Sequence, residues 1–204
     1  RNASDAQAMI DTAEGAHQEV HNMLLRMREI AVQAANGTLS DADRTALNEE
    51  VSELEKEITD IADNTAFAGV NLGTSTAVKF QVGTDNGDTL DHTFKDFDAT
   101  TISADIDVLS TGSAGAAVST LDAAISMISA RRGELGALSN RLSSTIANLD
   151  NISVNLSSAR GRIQDADFAT ETSNLAKSQI MQQAATAMLA QANASKQTVL
   201  ALIQ

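Results

Sequence analysis

Residues 135–163 read LGALSNRLSSTIANLDNISVNLSSARGRI. Leu135, Leu138, Leu142, Ile146, Leu149, Ile152, Leu156, Ala159 and Ile163 recur at steps of three and four, the period of one apolar helix face. The same period opens upstream at Val118, Leu121, Ile125 and Ile128, with a polar interruption at Arg131-Arg132-Gly133. Taken as one helix, residues 117–165 span ~75 Å at ~1.5 Å per residue. A compact globule of 204 residues would have a radius of gyration near ~17 Å and a diameter of roughly 45 Å. The helix does not fit inside such a globule. Either Gly133 and Gly136 break it or the molecule is a rod, and we read a rod.

A rod needs partner helices, and the first third of the chain supplies two. Met9, Ala13, Ala16, Val20, Met23, Met27, Ile30 and Ala34 alternate between steps of four and three, a seam of coiled-coil type. Asn36-Gly37 then predicts a stop with glycine in the left-handed cap conformation. Ser40 with Asp43 three residues on predicts a capping box for a second helix. That helix carries Leu47, Val51, Leu54, Ile58, Ile61 and Thr65 along its seam. Glu49, Glu50, Glu53, Glu55, Glu57 and Asp60 crowd its other faces, where a solvated surface is the default expectation.

From Phe67 the period changes. VKFQVGTDNGDTLDHTF, residues 78–94, alternates around Asn86-Gly87, a strong hairpin signal. Residues 99–116 are small and polar and read as a loop. The tail differs again. Ile180, Met181, Ala184, Ala185, Met188, Leu189 and Ala192 form a broad apolar band, resumed at Val199, Leu200 and Ile203. Nothing left over in the sequence obviously covers it, so the tail predicts assembly with another chain or segment. The fold expected is mainly α: an elongated antiparallel helical bundle with a small β-hairpin insertion and a C-terminal amphipathic helix. Its divisions fall at 1–66, 67–116, 117–165 and 166–204.

Composition agrees with helix packing. Hydrophobic residues make up 43 % of the chain but aromatic ones only 2 %, so the core is built from aliphatic side chains. The chain has no proline, which permits long helices. It has no cysteine, which excludes a disulfide framework, a thiol nucleophile and thiolate metal sites. A net charge of −13 disfavours nucleic acid and anionic membranes as partners. No apolar run approaches the ~20 residues of a membrane span. No signal-peptide pattern opens at Arg1, where the helical pattern has already begun, so the chain reads as a fragment.

Chemistry is sparse. His17 and His21, in HQEVH, stand at the spacing with which a helix grips a transition metal. The zinc-protease pattern needs glutamate directly after the first histidine, and Gln18 stands there. The pair is therefore a weak metal candidate, and polar histidines beside the seam are the simpler reading. Asp85, Asp88 and Asp91 do not follow the order of a calcium loop and suit a hairpin turn. No phosphate loop, nucleophile elbow or divided carboxylate pair appears. The expectation is a protein without catalysis or cofactor.

Several stretches carry a family resemblance: RNASDAQAMIDTAEGA, MLLRMREIAVQAANGT, NTAFAGVNL, KFQVG, residues 130–180 from ARRGELGALSNRL to NLAKSQI, and MQQAATAMLAQAN. In this order they resemble the bacterial flagellins, subunits of the flagellar filament. The resemblance implies a secreted structural protein of the flagellum that polymerises with other flagellin subunits. It also implies an N-terminal truncation, since flagellins carry a further segment there, and a reduced central region. It implies that a flagellar secretion chaperone binds the C-terminal segment, residues 178–204, with Ile180, Met181, Ala184, Met188, Leu189 and Ala192 in the binding or polymerisation band. Arg26, Ile30 and Glu50 match an edge used in subunit contacts, which a Toll-like innate immune receptor recognises in some flagellins. Rival readings are a hook–filament junction protein, which shares the helical arms, and a metal-binding surface protein using His17 and His21.

Overall fold

The computed structural model describes residues 1–103, 106–164 and 168–203, with backbone only at 103 and 197–203. The chain divides into two compact units, Arg1–Asp150 and Asn151–Gln204.

Helix α1 (Asn2–Ala34) runs for 33 residues. Met9, Ala13, Val20, Met27, Ile30 and Ala34 are buried as the seam predicts, but Ala16 and Met23 are only half-buried. His17 and Leu24 take their places inside, joined by Ile10 and Ala31. A strict two-position seam suits one partner helix. This helix is covered from two sides, and the stripe widens accordingly. His17 therefore belongs to the core, a correction to its placement beside the seam.

The turn after α1 also differs from expectation. The C-cap is Ala35, in right-handed conformation at φ −68 and ψ −13, and Gly37 does not take a positive φ. The open carbonyls are satisfied from the next helix instead. The buried Arg44 guanidinium donates from Nε to Ala34 O at 3.1 Å and from Nη2 to Asn36 O at 3.0 Å. A cationic side chain at a helix C-terminus meets both the orphan carbonyls and the negative end of the dipole. Helix α2 (Asp41–Asn64) then starts with the predicted capping box. Asp43 N–H donates to Ser40 Oγ at 3.3 Å, and Ser40 N–H donates to Asp43 Oδ2 at 3.1 Å.

Two small antiparallel sheets follow. Strands β1 (Ala66–Phe67) and β2 (Val70–Asn71) are joined by Ala68 and Gly69, both at positive φ. Asn71 Oδ1 then accepts from the N–H groups of Gly73 and Thr74, and Gly73 lies buried against the end of α2. Strands β3 (Thr76–Gln81) and β4 (Thr89–Phe94) form the predicted hairpin, with Gln81 opposite Thr89. Asn86-Gly87 sits at its tip inside a loop longer than the two-residue turn that the dipeptide favours. Phe80, Leu90 and Phe94 point inward onto Ile10, Ala13, Leu72, Leu135 and Leu142.

Residues 99–116 do not behave as a surface loop. A short helix α3 (Ala99–Ser103) leads with buried Ala99 and Ile102, and Ile106 and Val108 are buried beyond it. Their backbone is held by α2: Ile106 N–H donates to Glu55 Oε1 and Val108 N–H to Asn48 Oδ1, each at 3.1 Å. Glu55 therefore leaves the solvated acidic face. Helix α4 (Thr111–Gln164) begins six residues before the expected 117 and is unbroken at Gly133 and Gly136. Within the first unit α4 packs antiparallel to α1. Arg28 pairs with Asp122 at 2.5 Å, Glu14 with Arg132 at 2.8 Å, and Gln7 Nε2 donates to Ser143 Oγ at 3.5 Å. Between these polar edges, Leu121, Ile128, Leu135 and Leu142 bury fully or nearly so, each contributing ~1.5–3 kcal/mol.

In the second unit, the end of α4 exposes Ile152, Val154, Leu156 and Ile163. Helix α5 (Phe168–Ile203) exposes every side chain described in it, residues 168–196. The expected continuation of the apolar band at Val199, Leu200 and Ile203 lies outside the described side chains.

Candidate functional site

The apolar band of α5 follows from its composition. Alanine, leucine, methionine and glutamine favour helix, and spacings of three and four gather the larger apolar groups on one broad side. Ile180 and Met181 are each 64 % exposed, Met188 72 % and Leu189 64 %, and Ala184 and Ala192 are exposed among them. The band holds no titratable group, so it offers shape and apolar area and no acid–base chemistry.

The α1–α2 edge is a different surface. Arg26 Nε donates to Glu50 Oε1 at 2.9 Å, Nη2 lies 2.8 Å from the same oxygen, and Nη1 donates to Glu29 Oε2 at 3.2 Å. Glu50, ahead of Glu29, holds the guanidinium more firmly charged than usual. Both Arg26 and Glu50 remain about half open, at 50 % and 43 %. Ile30 is fully buried in the core. The structure thus joins Arg26 to Glu50 and takes Ile30 off the surface. Elsewhere on α1, Leu25 and Val32 are exposed large apolar groups that no charge or seam pattern singled out. The signal for them was in the sequence: both stand off the seam, where apolar residues are not needed for packing.

The histidine pair is divided by burial. His17 Nδ1 lies 2.7 Å from Ala13 O, so it carries the proton of a neutral ring, and the ring packs on Phe97. Desolvation pushes the His17 pKa down, against the hydrogen bond to Ala13 O. His21 is half-buried, and its Nδ1 is buried without a hydrogen-bond partner. Among the described residues, no group of three histidine or carboxylate side chains is arranged to hold a metal ion. The hairpin aspartates are used locally: Asp88 Oδ2 accepts from Asp85 N–H at 3.2 Å.

A groove of about 400 Å³ between α2 and α3 is lined by Ser52, Glu55, Lys56, Thr59, Asp60, Ala99 and Thr100. Its carboxylates are engaged or face solvent, and no imidazole stands near its hydroxyl groups. One 18-residue window within Thr111–Lys196 is long and apolar enough, by composition alone, to cross a membrane, where the sequence predicted none. Of that window, 28 % is buried.

Residues 1–76 match the bacterial flagellin N-terminal helical region, and residues 118–203 match the bacterial flagellin C-terminal helical region. The flagellin of Halalkalibacterium halodurans is 43 % identical over 210 residues, covering 100 % of this chain and 77 % of that protein. Flagellin D of Vibrio anguillarum is 32 % identical over 311 residues, covering 82 % of its length. The crystal structure of Bacillus cereus flagellin superposes with a TM-score of 0.65 at 29 % identity, covering 78 % of this chain and 94 % of that one. The chain belongs to the bacterial flagellin family, and it is an extracellular structural subunit of the flagellar filament, with no enzymatic role.

Proposed function

We propose that α5 is the principal polymerisation surface of this subunit, and that a flagellar secretion chaperone covers the same band before assembly. The observation that carries this reading is the exposure of Ile180, Met181, Met188 and Leu189 together on one helix. Apolar area of this extent is unfavourable in water and gains free energy when a partner covers it. One band serves both partners at different times, since the chaperone must leave before a neighbouring subunit docks. The test uses Met188→Asp and Leu189→Asp in the complete subunit as the cell makes it. Seeded filament growth is followed by electron microscopy, and chaperone affinity by calorimetry. Loss of both activities is expected; normal growth and normal affinity in both variants would sink the proposal.

A second surface is favoured by the half-open Arg26–Glu50 pair, which presents a fixed charge pattern along the α1–α2 edge. This edge makes lateral contacts between subunits and is the epitope for a Toll-like innate immune receptor, with Ile30 acting only through the core beneath it. Arg26→Ala and Glu50→Ala should lower receptor signalling while helix content, read by circular dichroism, stays the same. Full signalling by both variants would remove the edge from that role.

A further inference from the structure

Two Asn-Gly dipeptides occur in the chain, Asn36-Gly37 and Asn86-Gly87, and no other asparagine precedes a glycine. The dipeptide is chemically labile because glycine puts no side chain in the path of its own amide nitrogen. That nitrogen can attack the asparagine Cγ and close a five-membered ring. The structure treats the two sites differently.

At Asn36 the main chain is pinned. Its N–H donates to Gln33 O at 3.1 Å, and its carbonyl accepts from Leu39 N–H at 3.4 Å and from Arg44 Nη2 at 3.0 Å. Its side-chain Oδ1 accepts from Thr38 N–H at 3.2 Å. Ring closure requires Asn36 to turn about ψ, which swings the carbonyl away from Arg44 and pulls Oδ1 from Thr38. At Asn86 nothing comparable holds the residue. It is exposed at the hairpin tip, its side chain makes no hydrogen bond, and Gly87 follows at φ 110. The turn around it is closed by Asp88 N–H to Asp85 O at 3.1 Å, Gln81 Nε2 to Asp85 O at 2.8 Å and Thr89 N–H to Gly87 O at 2.7 Å, which hold its neighbours and use no atom of Asn86.

We propose that Asn86 is a site of spontaneous deamidation in the folded subunit, and that the fold protects Asn36. Gly87 N, after losing its proton to base, forms a bond to Asn86 Cγ. The bond from Cγ to the side-chain nitrogen breaks, and ammonia leaves with a proton from solvent. Water then opens the succinimide at either carbonyl, giving aspartate or isoaspartate. No electrons are transferred, and water is the only co-reactant. The new carboxylate joins Asp85 and Asp88 at the tip, and the isoaspartyl form lengthens the main chain of the loop by one methylene. For a subunit that works outside the cell, the charge of this tip then records its age.

The experiment incubates the complete folded chain in mildly alkaline buffer and follows peptides around both sites by mass spectrometry. Electron-transfer fragmentation distinguishes isoaspartate from aspartate. A parallel sample is held unfolded in urea. In the folded chain, conversion at Asn86 should outpace that at Asn36 by roughly tenfold, the equivalent of the charge-assisted hydrogen bond from Arg44. In urea the two rates should converge. Equal rates in the folded chain, no conversion at Asn86, or the same ratio with and without urea would each overturn the proposal.

Discussion

The imidazole of His17 packs against the ring of Phe97, with centroids 4.5 Å apart and planes inclined by 51°. Both residues are buried, one on α1 and the other between β4 and α3. The contact ties the first helix to the segment that leads into the long helix α4, and burial there favours the neutral form of His17. Around it stand Glu14 on the same helix and Arg131 and Arg132 on α4. His92, Lys95 and Glu134 line the small cavity beside it.

This burial has a pH consequence. Desolvation lowers the folded pKa of His17 below its ordinary value of about 6.5, with Arg131 and Arg132 acting in the same direction. The unfolded chain therefore takes up the proton first as pH falls. Stability from the neutral ring is complete above that ordinary value and is lost as pH drops from it toward the lowered folded value. His92 is shifted the same way, mainly by desolvation, and adds to the slope. Urea unfolding at about pH 8 and about pH 5 should show a smaller loss for His17→Leu than for the unaltered chain. Identical losses would assign the acid sensitivity to other groups.

Two glycines should respond in opposite directions to alanine. A Cβ at Gly73 would collide with the backbone carbonyl of Ala62, at the end of α2. Gly73→Ala should cost about 1–3 kcal/mol, because backbone must move to admit the methyl. At Gly133, inside α4 and exposed, a Cβ meets nothing within 4 Å. Gly133→Ala should stabilise by about 0.5–1 kcal/mol through the unfolded chain's lost freedom. Chemical denaturation of the two variants checks both signs.

Arg44 is predicted to be irreplaceable by lysine. Its fork reaches Ala34 O and Asn36 O from separate nitrogens while the residue stays buried. Arg44→Ala removes the side-chain donor from Ala34 O, the last carbonyl of α1, and one of the two donors to Asn36 O, and should cost about 1–3 kcal/mol. A single ammonium lacks the planar fork, so Arg44→Lys should recover less than half of that loss. Full recovery in a denaturation series would mean that charge alone, and not geometry, closes the helix.

Ala68 stands at φ 50, ahead of Gly69 at φ 84, in the turn between β1 and β2. Two consecutive positive φ values match the right-handed twist of a tight hairpin, at a steric cost for a residue with a Cβ. Ala68→Gly should stabilise the subunit by up to about 1 kcal/mol, the strain relieved less the added freedom of the unfolded chain. A lower denaturation midpoint would show that the Ala68 methyl packs in a way that outweighs the strain.

The helices were legible because their signals are local. The apolar steps through Leu135, Leu142 and Leu149 continue across Gly133 and Gly136, and α4 runs through both glycines. The Ser40–Asp43 box formed as read, since its donors and acceptors lie within one turn. At the candidate surfaces, the exposed α5 band was visible in the sequence as apolar spacing with no complement. The link from Arg26 to Glu50 joins two helices, and periodicity within either one does not reveal it.

The sequence by itself determined where the long helices and the main hairpin lie, though not α3 or the first turns of α4, because hydrophobic period, capping chemistry and turn residues act over a few neighbouring positions. Tertiary structure decided what those elements do to one another. It chose His17 and Leu24 over Ala16 and Met23 for the interior, since α1 is covered from two directions. It replaced the expected glycine cap with Arg44, it buried Ile102, and it drew Ile106 and Val108 into the core through backbone N–H bonds to the Glu55 and Asn48 side chains. Each of these outcomes depends on groups far apart along the chain, whose meeting no local pattern encodes.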